Sequence, residues 1–120
     1  LLVEHVPNAT ALTIYRKADI VFDQCLVGLH GYFAIEAMAM GKPVMAYIKK
    51  PEEYLLCPEE CPIIWDAPAD RVESVLRELI GNRQRLNQLG IQGRHYVEKH
   101  FSIEAFSERL QQTYHDLGLR

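Results

Sequence analysis

Short apolar runs alternate with helical patterns through the first half of the chain, and this alternation most narrows the folds open to it. Residues 19–23 form a β-rich run bounded by acids, 24–31 form a loop with two glycines, and 32–40 form an apolar helical stretch. A second apolar run follows at 44–48. A strand, a crossover helix and another strand in this order are typical of parallel βαβ units. The pattern predicts an α/β domain with a parallel sheet.

Two further strands are predicted at the flanks of this unit, at 1–3 and 62–66, together with a short helix over 10–18. The intervening stretch 49–62 is rich in proline and charge, so it is predicted to be irregular. The sheet would then have four strands.

The second half of the chain, from about residue 68 to 120, is predicted to be helical. Apolar residues recur there at helical spacing in three successive stretches. Ser102 is predicted to cap the last of these helices. Gly90 and Gly93 lie inside the middle helix, where glycine otherwise costs about 1 kcal/mol, and therefore predict close packing.

Composition limits both the class of protein and its partners. The length of 120 residues fits one domain with one core. The net charge of −3, from 13 basic and 16 acidic residues, lacks the basic excess typical of nucleic-acid binding. No apolar run has the ~18 residues of a membrane helix, and no signal-peptide pattern is present. Three cysteines, an odd and sparse set, favour the cytoplasm. The apolar start without Met indicates part of a longer protein.

Glu36 is the one charged residue in the stretch 32–40, which is otherwise apolar or aromatic. A helix that is apolar on all sides is normally buried, and a buried carboxylate needs a partner to offset its lost hydration. The vicinal hydroxyls of a ribose would suit it, because one carboxylate accepts two hydroxyl donors. An ion pair with Lys42, Lys17 or another basic residue is the structural alternative. Both interpretations of Glu36 stay open at this point.

The glycine loop leads directly into the first turn of this helix. Ligands of open α/β sheets sit at the carboxyl ends of strands, and a helix N-terminus favours an anion. A diphosphate over residues 31–33, with a ribose at Glu36 one turn further on, would form one continuous nucleotide site. A tight turn that needs its glycines, Gly28 and Gly31, for positive φ is the alternative.

The segment from 28 to 44 resembles the donor-binding, C-terminal domain of retaining, nucleotide-sugar-dependent glycosyltransferases of family 4. Their motif runs Glu-Gly-Phe-Gly, four residues, Glu-Ala-Met-Ala, one residue, Gly, one residue, Pro-Val. The chain matches it in register at Gly31, Glu36, Ala37, Met38, Ala39, Gly41, Pro43 and Val44. Tyr15 with Ala18-Asp19, and parts of 82–98, resemble other stretches of these enzymes, so the resemblance covers nearly the whole chain.

The resemblance implies a Rossmann-like three-layer domain with a parallel sheet, half of the two-domain GT-B fold, with its helical part over about 68–120. It implies transfer of a sugar from a UDP- or GDP-type nucleotide sugar to an unknown acceptor. Glu36 would hold the donor ribose, and the amides of Gly31, Tyr32 and Phe33 would face the diphosphate. No metal or other cofactor is expected, because the helix dipole and basic side chains stabilise the departing nucleoside diphosphate.

Two departures from the family motif fall in the glycine loop. The family's first Glu is Gly28 here, and its Gly-Phe pair is Leu29-His30. That carboxylate lies near the donor sugar or its phosphate in the family, and Asp23 or His30 are the candidates to compensate. Catalytic residues are expected outside residues 1–120, with His30 the candidate inside them.

The resemblance also implies partners that lie upstream of residue 1. These are the N-terminal acceptor domain of the same protein and a basic pair that holds the diphosphate, so residues 1–120 alone are expected to be inactive. Truncation is expected to expose a surface, through which residues 1–120 are predicted to dimerise. Peripheral membrane association is an alternative for the intact protein. Alternative functions are a GT-B-like nucleotide-sugar epimerase or hydrolase, and a non-catalytic interaction module that has lost nucleotide binding.

Two other groups of residues carry weaker signals. Cys57 and Cys61 have C-x3-C spacing, but a single pair is weak evidence for zinc. His95 and His100 lie five apart, which is the wrong spacing for a helical zinc pair, and both are predicted to be surface residues.

Overall fold

The computed structural model describes residues 4–64 and 66–119. Helices and strands alternate as far as the second strand, and every element described after it is a helix. In chain order they are α1 (Asn8–Tyr15), β1 (Val21–Phe22), α2 (Tyr32–Ala39), β2 (Val44–Met45), α3 (Pro51–Tyr54), α4 (Val72–Ile80), α5 (Arg83–Phe101) and α6 (Ile103–Asp116). The chain is therefore an α/β protein with a helical second half.

The two strands are parallel and are joined by α2, as the βαβ pattern predicts. Val21 pairs with Val44, and the Val21 amide donates to the Pro43 carbonyl at 2.9 Å. Pro43 has no N–H, so it cannot extend the ladder toward the amino ends of the strands. Of the two flanking strands predicted, 1–3 lies outside the described residues.

The stretch 62–66 contributes bridges rather than a full strand. Ile64 bridges Met45 in parallel, and Asp66 bridges Tyr47 in the antiparallel sense. The prediction of a regular strand over 62–66 was therefore wrong. Among the described residues the sheet has two strands. The bridge at Ile64 still continues the pairing beyond β2.

Helices cover both faces of the strand pair. Val44 and Ala46 contribute to an apolar cluster with α2 and α5, whereas Met45 between them packs against α4 through Leu79. Successive side chains of a strand point to opposite faces, so the alternation places α2 and α5 on one face and α4 on the other.

The helical second half agrees with the sequence patterns in both position and capping. Ser102 caps α6 by accepting from the Ala105 amide at 3.2 Å, as predicted, and Asn82 caps α5 in the same way. The prediction that 49–62 is wholly irregular was wrong, because α3 forms there. Pro51 starts that helix, a position where its missing N–H costs nothing.

Gly93 of α5 faces α2 and Gly90 faces the turn that follows α2, which confirms the predicted close packing. A Cβ built on Gly90 would lie 2.2 Å from the Gly41 carbonyl oxygen, and one on Gly93 would lie 3.1 Å from Met38 Cγ. The backbones of the two segments therefore touch directly at Gly90.

Candidate functional site

Gln24, the second residue after β1, sets the shape of the glycine loop. Its side-chain oxygen accepts from the amides of Leu26 and Val27, at 3.0 and 2.9 Å. Its side-chain nitrogen donates to the carbonyls of Tyr47, at 2.8 Å, and Leu29. One side chain thus holds both sides of the loop and ties it to the carboxyl end of β2. The sequence patterns gave no sign of this role.

Gly28 adopts a backbone conformation that disfavours any side chain. Its φ is +87°, and a Cβ built there would lie 3.0 Å from Lys49 Cβ. The Lys49 amide donates to the Gly28 carbonyl at 2.9 Å, which holds this close approach. This geometry strains any residue other than glycine at position 28.

Gly28→Ala should lower the free energy of unfolding by about 1–2 kcal/mol, the cost of a left-handed non-glycine residue. The added contact with Lys49 should increase that loss. Gly118→Ala is the matched control, because Gly118 has φ +67° and no atom within 4 Å of its built Cβ. Urea unfolding of the three proteins measures the difference. Equal stability of Gly28→Ala and the wild type would contradict the described loop geometry.

The N-terminus of α2 lies at the end of this loop. Gly31 caps the helix with extended backbone and no side-chain hydrogen bond to the first turn. Its own amide donates to Asp23 Oδ2 at 2.7 Å. The amides of Tyr32 and Phe33 belong to the first turn, where no intrahelical acceptor exists. Of the three amides predicted to face a diphosphate, one is therefore already bonded to a carboxylate.

Glu36 lies one turn after Tyr32 on the same side of α2 and is half-buried. Its carboxylate makes no ion pair within residues 4–64 and 66–119, so neither Lys42 nor Lys17 is its partner there. The structural alternative considered for Glu36 is therefore not observed. A half-buried carboxylate on the helix that follows the loop is placed to accept hydrogen bonds from a ligand.

The prediction that α2 is buried on all sides was wrong. Ala34, Ala37 and Met38 are buried, but Tyr32 is 87% exposed. Phe33 turns inward, with its ring edge-on to Tyr15 at a centroid distance of 4.7 Å. Tyr32 thus offers a free aromatic face beside the loop, whereas Phe33 offers a ligand only its amide.

His30 precedes the helix and is half-buried, with its Nδ1 3.3 Å from the Gly31 carbonyl oxygen. The apolar side chains beside it face solvent: Leu26 is 79% exposed and Val27 72%. The structure thus brings Gly28, His30 and Gly31 together in one loop, with Glu36 following in the helix. This arrangement can hold an anion and a polar group beside exposed apolar side chains.

A second polar cluster joins the loop after α3 to the end of α5. Glu60 accepts from Lys99 Nζ at 2.7 Å and lies 2.8 Å from His100 Nε2. Hydrogen bonds from Lys99 and His100 hold the pKa of Glu60 below its usual value, and burial raises the pKa of the neighbouring Cys61 thiol. Tyr96, whose pKa is raised by burial, donates to the Leu56 carbonyl.

His100 was wrongly predicted to be a surface residue, because it is only 9% exposed. His95 is exposed, as predicted. The signal for burial was available: His100 continues the stripe of Gly93, Tyr96 and Val97 at helical spacing. The bonds of Lys99 and His100 to Glu60 therefore attach the loop after α3 to the end of α5.

Cys25, Cys57 and Cys61 are half-buried free thiols. No group of three His, Cys, Asp or Glu side chains among the described residues is arranged to hold a metal ion. None of the described helices combines the length and the apolar character needed to cross a membrane.

Comparison of the chain with protein-family models, with curated proteins and with solved structures gives no match.

Proposed function

We propose that this chain is the donor-binding part of a retaining glycosyltransferase with a GT-B, Rossmann-like arrangement, and that it binds a nucleoside-diphosphate sugar. The observation that carries the proposal is the position of Glu36. It is a half-buried carboxylate without an ion pair in the described residues, one turn into a helix that a glycine loop feeds. That loop lies at the carboxyl end of a parallel strand, where α/β proteins bind ligands.

In this proposal each part of the site has one task. The first-turn amides of Tyr32 and Phe33, together with the helix dipole, bind the diphosphate. Glu36 accepts hydrogen bonds from the two ribose hydroxyls and so orients the donor. When the bond from the sugar to the diphosphate breaks, the leaving group takes the electron pair, and the same amides stabilise its added charge. The oxygen of the acceptor hydroxyl forms the new bond to the sugar, and its proton passes to the departing diphosphate.

Asp23 opposes an anion at this helix N-terminus, because its carboxylate already accepts from the Gly31 amide. Asp23→Asn keeps an oxygen acceptor for that amide and removes the charge. We expect the variant to bind UDP or GDP about fivefold more tightly, which corresponds to the ~1 kcal/mol of one solvent-screened charge. Calorimetric titration measures the change. Weaker binding by a folded Asp23→Asn protein would place the diphosphate elsewhere.

The cellular setting and the partners belong to the same proposal. A cytoplasmic location is supported by the three free thiols. The partners of the chain would be the nucleotide sugar and an N-terminal acceptor domain. Transfer without a metal ion is part of the proposal because the resembling glycosyltransferases need none. An epimerase or hydrolase would use the same donor site.

A non-catalytic interaction module is the second candidate function, and the exposed loop favours it. Leu26, Val27 and Tyr32 are each more than two-thirds exposed around the glycine loop. Such side chains cluster at protein-contact surfaces. A module of this kind needs the loop but does not need the Glu36 carboxylate, so the two candidates are separable.

Amide NMR of isotope-labelled protein during titration with UDP, GDP and ADP tests the proposed function. We expect shifts concentrated in residues 28–36 for one of the three, which would also identify the base. The same titration is repeated on a chain extended upstream, because part of the affinity is expected from there. Absence of shifts in residues 28–36 for both proteins at millimolar nucleotide would overturn the proposal in favour of the interaction module.

A further inference from the structure

A large groove lies away from the glycine loop, at the amino ends of the two strands. It has a volume of about 1030 Å³ and runs between the segments before β1 and β2 on one side and helices α4 and α5 on the other. We call it the α4–α5 groove. Its floor consists of half-buried apolar side chains that also pack on the α4 cluster, namely Ile20, Leu76 and Leu86. The groove plays no part in the proposed donor site.

The walls of the α4–α5 groove add exposed apolar area to this floor. Ile80 at the end of α4 and Ile91 on α5 both line it and are each 61% exposed. Exposed isoleucines above an apolar floor are typical of grooves that bind one face of an amphipathic helix.

The charges around the groove are mainly positive, although the whole chain has a net charge of −3. Lys42, Arg83 and Arg94 line the groove together with His95, against the single acid Asp19. Lys42 and Arg83 form no ion pair in the part of the chain that the structure describes. Arg94 pairs with Glu98 at 2.5 Å and donates to the Ala39 carbonyl at 2.6 Å, which fixes its guanidinium at the rim.

The positions of these cations indicate an elongated occupant. Arg83 and Arg94 are eleven residues apart on α5, which corresponds to about 16 Å along the helix axis. Lys42 follows Gly41, which contacts Gly90 about one turn before Arg94. Cations therefore stand at both ends of an apolar trough. A lipid presents its charge at one end, whereas a helical peptide of about three turns can present acids at both.

We propose that the α4–α5 groove binds an acidic amphipathic helix of a partner protein. The apolar face of that helix would cover Ile80 and Ile91, and acids near its two ends would meet Arg83 at one end and Lys42 at the other. Complementary charge would set its orientation and accelerate association, and burial of the isoleucines would supply affinity.

The test uses the full chain and a fluorescent synthetic peptide of about 14 residues, with leucines at i, i+3, i+4 and i+7 and glutamates near both ends. Fluorescence anisotropy should show saturable binding. Arg83→Glu and Lys42→Glu should each weaken it at least about tenfold. Arg77→Glu is the matched control, because Arg77 lies on α4 outside the groove and pairs with Glu73, and it should leave binding unchanged. Circular dichroism checks that each variant is folded.

Three results would overturn the proposal. The first is no saturable binding by the wild type. The second is equal binding of a peptide with the same composition and scrambled leucine spacing. The third is that phosphatidylglycerol vesicles displace the peptide from the wild type and do not bind to the Arg83→Glu and Lys42→Glu proteins. That result would assign the groove to an anionic membrane surface.

Discussion

Gly90→Ala is expected to destabilise the protein by about 3 kcal/mol or more, the upper range for overpacking a core. The added methyl group would lie 2.2 Å from the Gly41 carbonyl oxygen, and a backbone atom cannot move aside as a side chain can. The variant must therefore separate α5 from the turn after α2, which opens the apolar cluster between them. Urea unfolding followed by circular dichroism measures the loss.

Two other glycines serve as controls for this prediction. Gly93→Ala meets the side chain of Met38 at 3.1 Å, so it should cost no more than about 1 kcal/mol after the gain in helix propensity. Gly81→Ala meets only carbonyl oxygens at ordinary contact distance and should change stability by less than about 0.5 kcal/mol. A Gly90→Ala protein as stable as the Gly81→Ala protein would show that α5 and the turn after α2 do not approach this closely.

Glu36→Gln is expected to weaken nucleotide binding by about 1–3 kcal/mol, which is roughly a 5-fold to 150-fold change in the dissociation constant. The amide keeps the shape of the side chain but has one acceptor oxygen and no charge, so it cannot accept from both ribose hydroxyls with equal strength. Stability should change little, because Glu36 makes no ion pair within the described residues. Isothermal titration calorimetry with the preferred nucleotide gives the change directly.

Glu108→Gln is the matched control for Glu36→Gln, since it removes the same charge from an exposed position on α6. Its affinity should equal that of the wild type. Unchanged affinity in a folded Glu36→Gln protein would remove the ribose assignment. The nucleotide site would then need another polar group, whereas the interaction-module candidate would gain support.

Local patterns in the sequence were sufficient to predict the α/β class and the helices that carry the site. The end of α2 followed from Gly41 and Pro43, and the cap of α6 from Ser102, because these signals act over a few residues. Close packing at Gly90 was also predictable, since an unfavourable glycine within a helix requires a compensating contact. The partner of that contact, Gly41, lies 49 positions away and was not predicted.

The polar contacts of the site could not be predicted because they join residues distant in sequence. The bond from the Gly31 amide to Asp23 spans the whole loop, and Gln24 reaches Tyr47 on the next strand segment. The attachment of His100 to Glu60 spans 40 residues. Such contacts depend on how the elements pack, which no local periodicity encodes. The donor role of Glu36 and the three-layer arrangement stay predictions.

The bonds made by Gln24 have a consequence for the thermodynamics of recognition. The Gln24 side chain makes four hydrogen bonds that restrain the glycine loop, so the loop has little conformational entropy left to lose on binding. Ordering of rotamers and loops is among the main costs of association. Binding of a ligand or partner at the glycine loop should therefore carry a small entropic penalty. Its selectivity should come from the preformed shape of the loop rather than from induced fit.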